Sequence, residues 1–285
     1  MEHIEGFFEI KGEPKAVAEA RRRILTEFED LEFHEEGHRY FLHGRQLNSV
    51  STIGHRFIRE PFDEQKTAAR YAVKHGGTAE QWIKEWRCKA FSAACLGTKT
   101  HEFGESLSYL RAGHPELIRE PIKPQYCDEY GYLAPLHPKE EAVVRFIEDL
   151  PASFHLVLNE AKAYSGKNPV ADRNLKECIC GTFDMLYYCD GTDGTQEGFI
   201  LMDYKTNASL FKEYNRRFRK TLLPPFEDMI EEDLSLYTIQ LSLYALMLED
   251  IGLPIVERRI VWLKPDGTYQ MIPTRDVSEE LRAVL

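Results

Sequence analysis

Apolar residues recur at helical spacing near the start of the chain, where Val17, Ala20, Ile24 and Phe28 predict one buried helix face after a strand and a turn at Gly12-Glu13-Pro14. Two short strands around Phe33 and Tyr40 to Leu42, then the extended stretch Ser49-Val50-Ser51, lead into a helical region from about Pro61 to Gly113 that is rich in Trp, Lys and Arg. In it, Leu96, Phe103, Leu107 and Leu110 are the positions expected to hold a helix to the core. The proline-rich residues 114–137 read as loop, and Pro138 opens a helix whose stripe Ala142, Val143, Phe146, Ile147 and Leu150 ends at Pro151. The pattern then changes period. Phe154 to Tyr164, Glu177 to Tyr188 and Phe199 to Lys205 carry the β-branched and aromatic content of strands. A long helix follows, with Leu234, Leu241, Ala245 and Leu248 inward and Gly252 just past its end. Val256 to Leu263, a turn at Asp266-Gly267, Tyr269 to Ile272 and a short helix complete an α/β pattern with a helical layer on its N-terminal side.

Composition narrows this picture. With 285 residues, 43% of them hydrophobic, the chain buries a sizeable core and reads as one elaborated α/β domain. The expected organisation is an accessory strand–helix element over 1–30, a region over 31–137 with the helical layer, and a core over 138–285 integrated with it. The N-terminus has no basic stretch followed by an apolar run, and no eighteen-residue apolar segment occurs, so the chain is expected to be intracellular with no membrane partner. Six cysteines without a CxxC pair argue against a disulfide framework or a zinc ribbon. The net charge of −11 weighs against a nucleic-acid ligand, and any basic groove must be local.

The chemistry concentrates in two acidic segments, Gly181-Thr182-Phe183-Asp184 and Asp203-Tyr204-Lys205. Side chains two apart on a strand share a face, so Asp203 and Lys205 point together. A two-residue turn at Asp193-Gly194 would set Asp184 directly opposite Asp203, at the ~5 Å of cross-strand neighbours. Facing carboxylates are destabilising unless compensated, and a shared hard cation compensates them, with Lys205 beside it to stabilise the attacking water or the charge developing on phosphorus. Taken alone, an Asp-x-Lys on a hairpin is more often a solvated ion pair. Upstream, His101 and Glu105 lie one turn apart on one helix face, where a lone histidine is more often structural. Downstream, Gln240 and Tyr244 share a face of the long helix, either as site residues or as ordinary interface polarity. Between them, Lys212, Arg216, Arg217, Arg219 and Lys220, interleaved with Phe211, Tyr214 and Phe218, form either a phosphate-gripping, base-stacking wall or a solvated helix paired to the acidic run after it. Arg56, Arg59, Lys66, Arg70, Tyr71 and Lys74 make a second such wall.

In order, Gly97-x3-His101-x3-Glu105, Glu160, Gly181-Thr-Phe-Asp184, Asp203-Tyr-Lys205 and Gln240-x3-Tyr244 resemble the motif series of RecB-type PD-(D/E)XK nucleases, spanning residues 97–244. The resemblance implies a restriction-endonuclease-like core, a central mixed sheet flanked by helices. It implies that His101, Asp184, Asp203 and the Tyr204 carbonyl bind metal, that Lys205 is the catalytic lysine, and that Gln240 and Tyr244 line the site. Glu105 and Glu160 would bind a second ion or orient a neighbour. Some relatives hold an iron–sulfur cluster through cysteines after the QxxxY helix. No cysteine follows Cys189 here, so no such cluster is expected. Residues 6–28 faintly resemble the end of a KH RNA-binding module without its GxxG loop.

The expected function is a Mg²⁺- or Mn²⁺-dependent DNA exonuclease preferring single-stranded or end-containing DNA, in a bacterial or phage-infected cell, with a recombination or replication protein as an expected partner. The alternatives are a structure-specific or restriction-type endonuclease, a non-catalytic nucleic-acid-binding subunit, and a metalloprotein acting on another phosphate ester.

Overall fold

The computed structural model describes residues 12–34, 36–118, 135–166 and 178–285. The strand expected before Gly12, most of the proline-rich loop, Cys127 and Glu177 lie outside them. Helix α1 (Lys15–Glu27) buries Val17, Ala20 and Ile24 as its spacing predicts, and Phe28 just past its end is buried with them. It leads to β1 (Leu31–His34), β2 (Arg39–Leu42) and β3 (Arg45–Ser49). The extended reading of Ser49 to Ser51 is corrected. Ser49 accepts the Thr52 N–H as an N-cap, so the chain turns at once into α2 (Val50–His55).

The helical region is two helices, α3 (Glu64–His75) and a 34-residue α4 (Ala79–Ala112). Thr78 and Gln81 form the capping box that starts α4, and Gly113 in the left-handed conformation ends it. Phe103 is buried and Leu107 packs beside it, but Leu110 is 46% exposed, because Tyr109 takes the inward position next to it. α5 (Pro138–Asp149) buries its whole predicted stripe, and a His137–Glu140 capping box fixes its start.

β4 (Phe154–Tyr164), β5 (Ile179–Cys189) and β6 (Gly198–Lys205) follow, then α6 (Glu213–Arg217), α7 (Asp233–Asp250), β7 (Ile255–Leu263), β8 (Tyr269–Pro273) and α8 (Ser278–Val284). α7 is buried on nearly every side from Thr238 to Leu248, which is why its sequence is apolar all round. The fold is α/β, with an eight-stranded mixed sheet in the order β1-β2-β3-β5-β6-β7-β8 and β4 on the other edge of β5. Helices flank it. One core lies among α1, α2, α7 and the sheet, the other among α4, α5 and the opposite face. No helix among the described residues is long and apolar enough to cross a membrane.

Two features of pairing position the site. The β5–β6 ladder runs from Cys189–Gly198 to Met185–Met202, the register expected from the sequence, and ends one pair before Asp184 and Asp203. No two-residue turn sets that register. Asp190 and Asp193 accept the Thr192 and Thr195 N–H groups, so their side chains satisfy an eight-residue loop in place of ladder bonds. Because β4 covers one edge of β5 throughout, β3 and β6 share the other edge. β3 pairs at Ile179–Cys180 and β6 from Met185 on, which leaves a fork at residues 181–184.

The second feature is a bulge in β4. Leu156 pairs with Tyr187 but Leu158 pairs with Leu186, so Val157 is the extra residue. Without it, Glu160 would fall opposite Phe183. With it, Asn159 meets Met185 and Ala161 meets Phe183, and Glu160 falls opposite Asp184. The buried Arg21 of α1 holds this bulge, donating to the Val157 carbonyl at 2.8 Å and the Leu156 carbonyl at 3.1 Å, while Glu13 pairs with its guanidinium at 2.6 Å.

Close packing at the fork requires two glycines. A Cβ on Gly104 of α4 would lie 2.7 Å from the Tyr204 ring, and one on Gly181 would lie 2.5 Å from the Tyr244 hydroxyl. Gly181→Ala is expected to cost about 1–3 kcal/mol in urea unfolding, the range for overpacking a tight core. A loss below about 0.5 kcal/mol would show that α7 moves freely away from β5.

Candidate metal centre

Three elements meet at the fork. His101 comes from α4, Glu160 from β4 and Asp184 from β5, and one ligand atom from each lies within 4.8 Å of the others. His101 Nδ1 is 3.4 Å from Glu160 Oε1 and 3.3 Å from Asp184 Oδ2. Asp184 Oδ2 also accepts the Tyr204 N–H at 2.8 Å, a donor that faces the opening where the ladder has ended. Glu160 has a positive φ of 47°, a conformation costly for a non-glycine residue and characteristic of functional sites.

Asp203 stands beside this group and is held differently. Its carboxylate is ion-paired with Lys205 and accepts from Gln240 Nε2 at 3.3 Å. Lys205 Nζ also lies 4.4 Å above the centre of the Tyr237 ring, so α7 supplies two residues, one turn apart, that fix the Asp203–Lys205 pair. Tyr237 was not singled out in the sequence; its place three residues before Gln240, on the same helix face, is the signal that marks it. Tyr237 in turn donates to Asn207 Oδ1 at 2.9 Å, and Asn207 donates to Asp233 Oδ2 at 2.9 Å.

Tyr204 is buried with its ring 5.8 Å from that of His101. Tyr244 packs over Gly181, behind the fork. Glu105 lies one turn beyond His101, partly buried, outside the three-residue group. Of the basic segment, Arg216 is committed to Glu232 through two bonds of 2.7 and 2.6 Å, and Lys212 to Asp233 at 3.1 Å. Arg217 and Lys220 lie over the exposed rings of Phe218 and Tyr214 and, like Arg219, form no ion pair among the described residues. Arg56 and Arg70 are exposed.

Burial and neighbouring charges act on these groups in opposition. Burial, the largest influence on His101, lowers its pKa, but the Asp184 and Glu160 carboxylates outweigh it and hold the imidazole up at about 9. Burial and the Asp184 charge push Asp203 up to about 6, against the pull of Lys205. Burial raises Asp184 as well, with the Glu160 charge adding to it and His101 opposing. Burial works against a charged Lys205, yet Asp203 and Asp184 raise it, so it stays an ammonium. An imidazolium and an ammonium therefore stand among the side chains of Glu160, Asp184 and Asp203. One imidazole and two carboxylates form a mixed N,O donor set of a kind that could hold a metal ion.

The sign of the pH dependence follows. The His101 imidazolium contributes stability that is complete below its ordinary 6.5 and lost as the pH rises through about 9. Asp203 acts in the same direction, its contribution present below 3.8 and lost as the pH rises through about 6. In EDTA, Tm is expected to fall steadily from pH 6 to 9, and His101→Gln to flatten the upper part of that fall. Parallel curves for the two proteins would contradict this ion-pair arrangement.

No protein-family model and no curated protein matches this chain.

Proposed function

We propose that this chain is a divalent-metal-dependent deoxyribonuclease with a restriction-endonuclease-like core of the PD-(D/E)XK type, acting as an exonuclease on single-stranded or end-containing DNA. The observation that carries the reading is the convergence of His101, Glu160 and Asp184 from three elements beside the buried Asp203–Lys205 pair. A single Asp-Lys pair on a hairpin has a bland explanation. A histidine and three carboxylates gathered at a break in the sheet leave like charges that a cation relieves.

A Mg²⁺ or Mn²⁺ ion held by these side chains supplies Lewis-acid stabilisation of a phosphoryl oxygen and a nucleophile at neutral pH. The chain's own residues divide the remaining work. His101, Glu160 and Asp184 offer the donors, and the Tyr204 N–H orients Asp184. Asp203, buried beside this group and held by Gln240 and Lys205, would complete the acidic side of the site. Lys205 stays protonated, so its role is to stabilise negative charge on the scissile phosphate, not to accept a proton.

The test is digestion of end-labelled single-stranded DNA, linear duplex and closed circular DNA with Mg²⁺, Mn²⁺ or EDTA, wild type beside Asp203→Ala. Metal-dependent loss of linear DNA with circles spared, abolished in the variant, is the expected result. Cut circles would make it an endonuclease. Binding of DNA without cleavage in either metal would overturn the catalytic reading.

A further inference from the structure

We infer that the cleft between α3 and the first half of α4 is a nucleobase pocket that grips single-stranded DNA on its way to the metal centre. The helical hairpin stands off the rest of the fold. α3 buries only Ala68, and α4 buries only Ile83 before Thr100. What holds the two helices together is a local aromatic cluster, with Tyr71 4.6 Å from Trp82 and 5.5 Å from Trp86 between ring centres. Beside it opens a cleft of about 650 Å³ lined by Gln65, Glu80, Ile83, Lys84, Arg87 and Phe91 among others. Phe91 is 72% exposed, an aromatic face with no folding role.

Charge selects the occupant. Residues 64–99 carry seven Lys and Arg against three Glu, net +4, in a chain whose net charge is −11. Arg87 is paired with Glu64 and Lys89 with Glu85, whereas Lys66, Arg70, Lys74, Lys84 and Lys99 form no ion pair among the described residues. An exposed aromatic ring in a cleft shared with the unpaired Lys84 ammonium, with further unpaired cations along the two helices of an otherwise acidic protein, matches a polyanion that also offers flat apolar faces. Single-stranded nucleic acid has both properties.

α4 joins the cleft to the site. Arg87, Phe91, Ala94, Thr98 and His101 recur at spacings of four, three, four and three, so they share one helix face. Phe91 precedes His101 by ten residues, or about 15 Å along the axis at the rise of an α-helix, which a few nucleotides bridge. Between them Ala93 and Ala94 are exposed and small, and leave that face unobstructed.

The direction of this path rests on the nuclease reading, but the binding does not require cleavage. The experiment is therefore done in EDTA on the full chain, with fluorescence anisotropy of labelled oligothymidylate and quenching of Trp82 and Trp86 as readouts. Phe91→Ala is expected to weaken binding about tenfold, as loss of one stacked base does. Phe91→Tyr is expected to retain affinity, and Lys84→Glu to weaken binding and reduce its salt dependence. Unchanged affinity in both Phe91→Ala and Lys84→Glu would overturn the proposal even if the wild type cuts DNA. Weakened binding in a protein that cuts nothing would support it while the nuclease reading fails. A dimer in solution that Phe91→Ala dissociates would assign the cleft to self-association and overturn it.

Discussion

Replacing Lys205 by methionine is expected to reduce metal-dependent cleavage of linear single-stranded DNA by about 10²- to 10³-fold, the loss seen when one preorganised donor to a developing oxyanion is removed. Mn²⁺ affinity should stay within about threefold of wild type, because a lysine contributes no metal ligand and the His101, Glu160 and Asp184 donors remain. The variant should also fold. The ammonium is the main positive partner of the buried Asp203 carboxylate, and without it that group escapes the cost of an unpaired charge by taking up a proton. Lost cleavage with retained metal binding would locate Lys205 at the reacting phosphate. Lost metal binding would instead make it a structural counter-ion.

Arg21→Met should cost about 3–5 kcal/mol of stability, the penalty for breaking a buried ion pair by removing one partner. The guanidinium is fully buried and meets Glu13 and the carbonyls of Leu156 and Val157. Methionine has similar length but donates to none of them, and among the described residues leaves Glu13 with only its 3.4 Å contact to His114 Nε2. Chemical denaturation of the metal-free protein reads the loss. A change below about 1 kcal/mol would mean that water reaches the bulge and that α1 does not fix it. Because the bulge sets Glu160 opposite Asp184, the surviving folded fraction should also bind Mn²⁺ more weakly than wild type.

Much of the sheet was legible because its strands are strongly patterned. The pairing of Met185 with Met202 follows from the symmetry of the segment between Cys189 and Gly198, even though a longer loop replaces the expected tight turn. Asp184, Asp203, Lys205 and His101 were legible from residue type and spacing. Less legible was how they are shared out. A sequence shows two aspartates on adjacent strands, but not that the ladder stops before them, nor that Lys205 and Gln240 take hold of Asp203 while His101 and Glu160 gather at Asp184. Glu160 in particular depends on one extra residue, Val157, and on an arginine from α1 more than a hundred positions away. Neither leaves a local signal. The balance at Arg216 was equally hidden, because a basic run followed by an acidic one allows both a groove and an internal pair, and the contact with Glu232 gives Arg216 to the pair.

The most direct measurement is a calorimetric titration of the metal-free protein with Mn²⁺ at pH 7.5 in two buffers of different ionisation enthalpy, wild type beside Asp184→Ala. Wild type should bind with release of a proton, since His101 must give up its own to become a ligand, and Asp184→Ala should lose the binding. Absence of Mn²⁺ binding by the wild type, or equal binding by both proteins, would contradict a metal centre at the fork of the sheet.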